Sequence, residues 1–235
     1  MRLLLISLLL LISNNALSGQ EPPLSSTDLK KKEFLSLYLA KDGGPNGSMI
    51  FLSKDGRYKI VATVDDTWSG KKITSQADID YAKTHIDLSG LKIDISTLNT
   101  FSLKGADKKV TVFVDPECKF CKKLVADAKN HLHDYSFDFV VVPALGDKSN
   151  VLSKSMFCAK PVASMSQEYL SGNLGSLAQR VPCDTTRYDL TLLLAQLVGV
   201  TGVPFVIAPD GRFQAGGDPW KFLEQPTQAD ATRIN

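Results

Sequence analysis

Cysteine and histidine are scarce here, four and three among 235 residues, and their arrangement excludes more than their number. Cys118 and Cys121 form one Cys-x-x-Cys pair, but Cys158 and Cys183 do not form a second, and no histidine lies near them in the chain. A structural zinc site is therefore poorly supplied with ligands, although His131 and His133 follow the pair by a turn or two. The formal net charge is only +2, so no basic excess points to nucleic acid. Beyond residues 3–12 there is no apolar run long enough to be transmembrane. Residues 20–87 contain no cysteine, a single histidine (His85) and no conspicuous apolar stripe. They offer no obvious chemistry, and their role is read as architectural.

What is present is enough to build ordinary cores, since 43% of the residues are apolar and the length suits one or two domains. Met1-Arg2, the apolar run Leu3 to Ile12, polar Ser13-Asn14-Asn15 and the small residues of Ala16-Leu17-Ser18 read as a signal peptide over residues 1–18. An uncleaved anchor is the alternative, but the run is too short to span a bilayer well. Export would put the four cysteines in an oxidising compartment, where two disulfides can form. No stable membrane insertion is expected once the signal is removed.

The stretch from Val110 to Leu132 carries the chemistry. Val110, Val112, Phe113 and Val114 form a short β-branched and aromatic run that reads as a buried strand, broken by Asp115-Pro116. Cys121, Leu124, Val125, Ala128 and Leu132 then fall on one face of a helix. The cysteine pair thus sits where a strand ends and a helix begins. Unpaired N–H groups and the helix dipole favour negative charge there, so a Cys118 thiolate would be stabilised. The thiolate is the nucleophile of disulfide exchange. Cys118 is expected to be the exposed attacking thiol and Cys121 the sheltered resolving one. Lys119, Lys122 and Lys123 add positive charge, whereas Glu117 acts against it. An inert structural disulfide is the bland alternative, yet strand, Cys-x-x-Cys and helix together point to redox work.

Further along, Val203-Pro204 leads into the apolar strand Phe205 to Ala208. With the cysteine pair upstream, this resembles the thioredoxin superfamily, in which a cis-proline and the residue before it face the active-site cysteines. The resemblance implies a cis Val203-Pro204 bond, with Val203 positioned to pair with an extended substrate; an ordinary trans proline is the alternative. Around these residues the predicted order is a strand at Phe137 to Val142, a helix capped by Ser149-Asn150 and running through Met156 to Cys158, and a helical piece from Pro161 to Leu170. A largely buried helix follows from Thr186 to Val198, with Gly199 at its end. Arg212 to Ala215 then returns as a hairpin strand, and Asp218-Pro219 starts a last helix carrying Trp220 and Phe222. Residues 109–224 therefore read as an α/β thioredoxin-like domain with a helical insertion, and residues 225–235 as a polar tail.

Upstream, Asp28 to Ala40 fits neither helix nor strand cleanly. Met49 to Leu52 and Tyr58 to Val64 read as two strands joined at Asp55-Gly56, with further turns at Asp65-Asp66 and Ser69-Gly70. Ser75 is placed to cap a short helix through Ala82. An exported chain with a small α+β domain before a thioredoxin-like one is similar to the DsbC/DsbG disulfide isomerases. That resemblance implies an α+β dimerisation domain over residues 20–87, an interdomain linker over 88–108, and a homodimer in the bacterial periplasm. It also implies a second, structural disulfide between Cys158 and Cys183 in the insertion. Closing that loop is worth about 3 kcal/mol in the chain-entropy model. Two free thiols or a regulatory switch are the alternatives. Partners would be disulfide-containing secreted proteins and a membrane thiol reductant, with no cofactor and no metal.

Two departures from that family bear on function. Lys119-Phe120 stands between the cysteines where the family has Gly-Tyr or Pro-Tyr, and the added positive charge should favour the thiolate. Val203 replaces the usual threonine before the cis-proline, and a valine there is familiar from the oxidase DsbA. The expectation is a thiol:disulfide isomerase. A dithiol oxidase, or a holdase that acts without Cys118, is the alternative.

Overall fold

The computed structural model describes residues 38–41, 49–53 and 55–225. The expected signal peptide, most of the Asp28 to Ala40 segment and nearly all of the polar tail lie outside these residues. Among those described, no helix is long and apolar enough to cross a membrane.

The N-terminal part is built from short antiparallel pieces. Strands β1 (Tyr38–Lys41), β2 (Met49–Leu52) and β3 (Lys59–Ala62) form a meander in that order. Ser53, Asp55 and Gly56 close the β2–β3 turn, with Ser53 Oγ donating to Asp55 Oδ1 across 2.5 Å. Strands β4 (Val64–Asp66) and β5 (Lys71–Ile73) make a second hairpin. Asp65-Asp66, read from sequence as a turn, is therefore strand. The turn lies after it, where Asp66 accepts from the Trp68 N–H and the Ser69 hydroxyl. Helix α1 (Gln76–Thr84) begins at Ser75, whose hydroxyl accepts the Asp78 N–H while the Asp78 carboxylate accepts the Ser75 N–H. That reciprocal capping box satisfies donors that the helix cannot pair internally.

The second part is a five-stranded mixed sheet in the order β10-β9-β7-β8-β6. Its strands are β6 (Thr100–Leu103), β7 (Lys109–Val114), β8 (Ser136–Val141), β9 (Phe205–Ile207) and β10 (Phe213–Ala215). Strands β7 and β8 run parallel, with Phe113 opposite Val140, and every other pairing is antiparallel. Strand β6 falls inside 88–108, the stretch expected to link two domains. That stretch is not a free connection: Phe101 is buried opposite Phe139, and the sheet begins at Thr100.

Helices cover both faces. On β7, Val110, Val112 and Val114 face one core with Phe137, Phe139 and Val141 of β8. Helix α2 (Lys119–Asp127) brings Cys121, Leu124 and Val125 onto that face, and α3 (Asp147–Cys158), α4 (Met165–Ser171) and α6 (Pro219–Leu223) complete it. Phe113, Val140, Phe205 and Ile207 face the other core, against Leu194 and Val198 from the region of α5 (Thr186–Leu197). Burial on both sides explains why β7 and β8 read as near-continuous apolar runs rather than alternating ones. Each such Val or Phe contributes roughly 1.5–3 kcal/mol by leaving water. This is the thioredoxin-like α/β fold with a helical insertion.

Two helices differ from expectation. Helix α3 starts at Asp147, not at a Ser149-Asn150 cap, because the Ser149 hydroxyl is buried and committed to Asp115. Helix α5 is not largely buried: Tyr188, Thr191 and Leu194 face inward, while Leu193 and Leu197 are each 48% exposed. One buried amide ties the layers together. Asn99 donates through Nδ2 to the carbonyls of Val141 and Ser153 and to the Ser153 hydroxyl, and its N–H reaches Thr191 Oγ1 across 3.0 Å. The N-terminal part meets the sheet at the β9–β10 turn, where the Ile86 N–H donates to the Gly211 carbonyl at 2.8 Å. Gly211 has φ +91°, and a Cβ there would lie 3.0 Å from the Ile86 carbonyl oxygen, so only glycine suits this contact.

Candidate active site

Strand β7 ends at Val114, and the chain turns through Asp115 and Pro116 before α2 begins. Cys118 is the N-cap of α2, and its sulfur accepts the Cys121 N–H at 3.1 Å. A sulfur in that place receives both a direct N–H and the positive end of the helix dipole. The Cys118 and Cys121 sulfurs are close enough to form a disulfide, with the Cα atoms 5.2 Å apart, and Cys121 is fully buried on the inner face of α2.

Cys118 is far less open than its expected role suggests, since only 5% of it is exposed. It packs in the core with Cys121 and Leu124, and Val203 approaches it from the opposite side of the site. The Val203-Pro204 peptide bond is cis, and the Val203 carbonyl oxygen lies 3.8 Å from Cys118 Sγ. Phe120 stands out from the surface instead, 78% exposed, with Lys119 beside it. A groove of about 640 Å³ runs from Phe120 and Leu124 past Val203 and Pro204 to Trp220. The Trp220 ring stacks on His131 with centroids 3.8 Å apart, so that histidine packs on the groove wall. Among the described residues, no cluster of three or more His, Cys, Asp or Glu side chains is arranged to hold a metal ion.

The sequence did not reveal how firmly the loop before Cys118 is held. The buried Asp115 carboxylate accepts from the Glu117 N–H, the Leu145 N–H and the Ser149 hydroxyl, at 2.7, 2.9 and 2.8 Å. Its backbone carbonyl accepts the Tyr169 hydroxyl at 2.6 Å. Burial, with a smaller effect of the Asp115 charge, pushes the Tyr169 hydroxyl far above the usual tyrosine range, so it stays protonated as a donor. In sequence Asp115 was legible only as a strand breaker, because its partners lie in the insertion. Glu117 pairs with Lys148 in the first turn of α3, Oε2 to Nζ 2.6 Å.

Cys158 and Cys183 are disulfide-paired across the insertion, their Cα atoms 5.7 Å apart. The pair is remote in sequence from the groove and closes the segment holding α4.

No family model and no curated protein matches the chain. Solved structures do resemble it. A disulfide interchange protein from Neisseria gonorrhoeae is 20% identical, with 56% of this chain and 94% of that one covered at a TM-score of 0.43. Helicobacter pylori DsbG is 16% identical, with 77% of this chain and 97% of that one covered at a TM-score of 0.40. A periplasmic thioredoxin-like protein from Salmonella enterica serovar Typhimurium is 21% identical, with 54% and 86% covered at a TM-score of 0.37.

Proposed function

We propose that this protein is an exported thiol:disulfide interchange enzyme that rearranges or reduces wrong disulfides in secreted proteins through Cys118 and Cys121. The observation that carries this reading is the Cys118 sulfur at the α2 N-cap, accepting the Cys121 N–H beside the Val203 carbonyl. A thiolate formed there keeps its hydrogen bond and the helix dipole, both of which lower its energy relative to the thiol.

In the reduced enzyme the Cys118 thiolate attacks one sulfur of a client disulfide. That S–S bond breaks, a mixed disulfide forms, and the second client sulfur leaves as a thiolate. If another client thiolate attacks the mixed disulfide, the client is rearranged with no net electron transfer and Cys118 is regenerated. If Cys121 attacks instead, two electrons pass to the client and the Cys118–Cys121 disulfide remains. The Val203 backbone offers an extended client segment a pairing partner, while Lys119 and Phe120 form the exposed rim. Cys158–Cys183 serves as the structural disulfide. The reading includes a membrane thiol reductant to reset the enzyme, periplasmic residence, and a homodimer formed through residues 20–87.

Reactivation of a client with scrambled disulfides by reduced enzyme, with Cys118→Ala as control, tests this. Recovery that disappears in the control supports the reading. Val203 favours a second one, the dithiol oxidase. There a client thiolate attacks the Cys118–Cys121 disulfide, Cys121 leaves as a thiolate, and a second client thiolate resolves the mixed disulfide. Failure to reactivate scrambled client, with rapid oxidation of reduced client by the disulfide form, would replace isomerase by oxidase.

A further inference from the structure

Glu117 immediately precedes Cys118 and carries the wrong charge for stabilising a thiolate. It is only partly exposed, so water screens its charge incompletely. The neighbouring charges are unevenly spread. Lys119, Lys122 and Lys123 belong to α2 itself, and the buried Asp115 carboxylate is already occupied by three donors. The segment 200–204 on the opposite side supplies no charged side chain, and α4 presents the protonated Tyr169 hydroxyl. Asp218 and Asp127 line the far groove.

Against this background Lys148 occupies an unusual place. It lies in the first turn of α3, where the helix dipole opposes a cation. Its ammonium nevertheless reaches out of the insertion to Glu117 at 2.6 Å. The backbone brings the two together by the same contacts that fix the loop. The Leu145 N–H and Ser149 hydroxyl, on either side of Lys148, both bond Asp115, and Asp115 also accepts the Glu117 N–H.

We infer that Lys148 is a positioning residue for the redox pair: by neutralising and holding Glu117, it keeps the Cys118 sulfur in an environment that favours the thiolate. The inference rests on Cys118 being the reactive thiol, but not on whether the enzyme acts as isomerase or oxidase. Lys148 touches neither sulfur, and its influence passes through Glu117. The Lys148 end of the pair is largely solvated, so the effect is modest.

The test uses the full mature chain in its reduced form. The Cys118 thiolate is titrated by its ultraviolet absorbance and by the pH dependence of alkylation, in Lys148→Met, Lys148→Arg, Glu117→Gln and the Lys148→Met/Glu117→Gln double variant. Lys148→Met is expected to raise the apparent thiol pKa and slow alkylation below that pKa about threefold, as a surface charge pair permits. Lys148→Arg should restore both, and high salt should shrink the difference. In the Glu117→Gln background, the Lys148→Met change should largely vanish. An unchanged titration in Lys148→Met, or an equal shift with and without Glu117, would overturn the inference. Thermal unfolding of each variant separates tuning from folding, because a merely structural role would lower the melting temperature without moving the titration. A shifted titration in an enzyme that moves no client disulfides would keep this inference and remove the proposed function.

Discussion

Tyr169 donates its hydroxyl to the backbone carbonyl of Asp115, so the insertion grips the main chain just ahead of the cysteine pair. The same carbonyl accepts the Cys118 N–H at 3.2 Å. Tyr169→Phe removes the first donor but leaves the second. It should therefore destabilise the fold by about 1 kcal/mol, the usual net worth of one hydrogen bond. Urea denaturation should show a lower midpoint with an unchanged slope.

The disulfide of the insertion predicts a different pattern. Cys158 and Cys183 are 25 residues apart, and opening that loop frees entropy in the unfolded chain. The Cys158→Ala/Cys183→Ala variant should lose about 3 kcal/mol. Alkylation of reduced Cys118 should proceed at the parent rate, since the pair does not touch the α2 N-cap. A denaturation midpoint and an alkylation rate measured on the same preparation check both halves.

Phe120 makes the opposite separation. Its side chain is largely in water, so Phe120→Ala should move stability by less than about 0.5 kcal/mol. Exchange with an apolar, unfolded client should slow severalfold, because the aromatic rim of the groove is lost. Exchange with a small thiol reagent should not change. Parallel kinetics with the two substrates would show the split.

Asp78 gives a pH prediction whose sign follows from its partners. Hydrogen bonds from the Thr74 N–H, then from the Ser75 and Thr74 hydroxyls, hold its carboxyl below the ordinary value of 3.8. A carboxyl lowered by folding stabilises the native state above its unfolded pKa. That contribution fades as pH falls through the lowered folded value. Asp78→Ala should therefore weaken α1 at neutral pH, with the difference from the parent closing below about pH 3.8. Amide exchange of α1 across that range reads it directly.

How much of this was legible in the sequence depended on the range of the interaction. The cap at Ser75, the strand before Cys118 and the apolar face of α2 are local, and the residues alone reveal them, although the reciprocal bond from Asp78 is seen only in the structure. Cys118 looked exposed because what packs against it is not local: the Val203 carbonyl that approaches its sulfur lies 85 residues away. Ser149 looked like a helix cap because serine prefers that role, whereas here its hydroxyl belongs to Asp115, 34 residues back. The leucines of α5 are apolar around much of the helix, and composition does not say which of them meet the sheet. Strand β6 is only four residues long and needs β8 beside it to count as a strand. At the site, the cysteine pair was legible, but Tyr169, Ser149 and Lys148 were not, since each reaches the loop from the insertion.

Asn99 draws the last of these threads together. Its side chain and N–H join β8, α3 and α5, while Asp115 joins the same insertion to the loop before α2. Helix α3 is consequently no lid hung on a finished sheet. Melting it would strip partners from the buried Asn99 amide and the buried Asp115 carboxylate, so opening the insertion also costs the sheet and the active-site loop hydrogen bonds. Fraying of the outer hairpins would leave the Asp115 bonds in place, so the loop that carries the sulfurs is tied to the interior of the domain rather than to its edge.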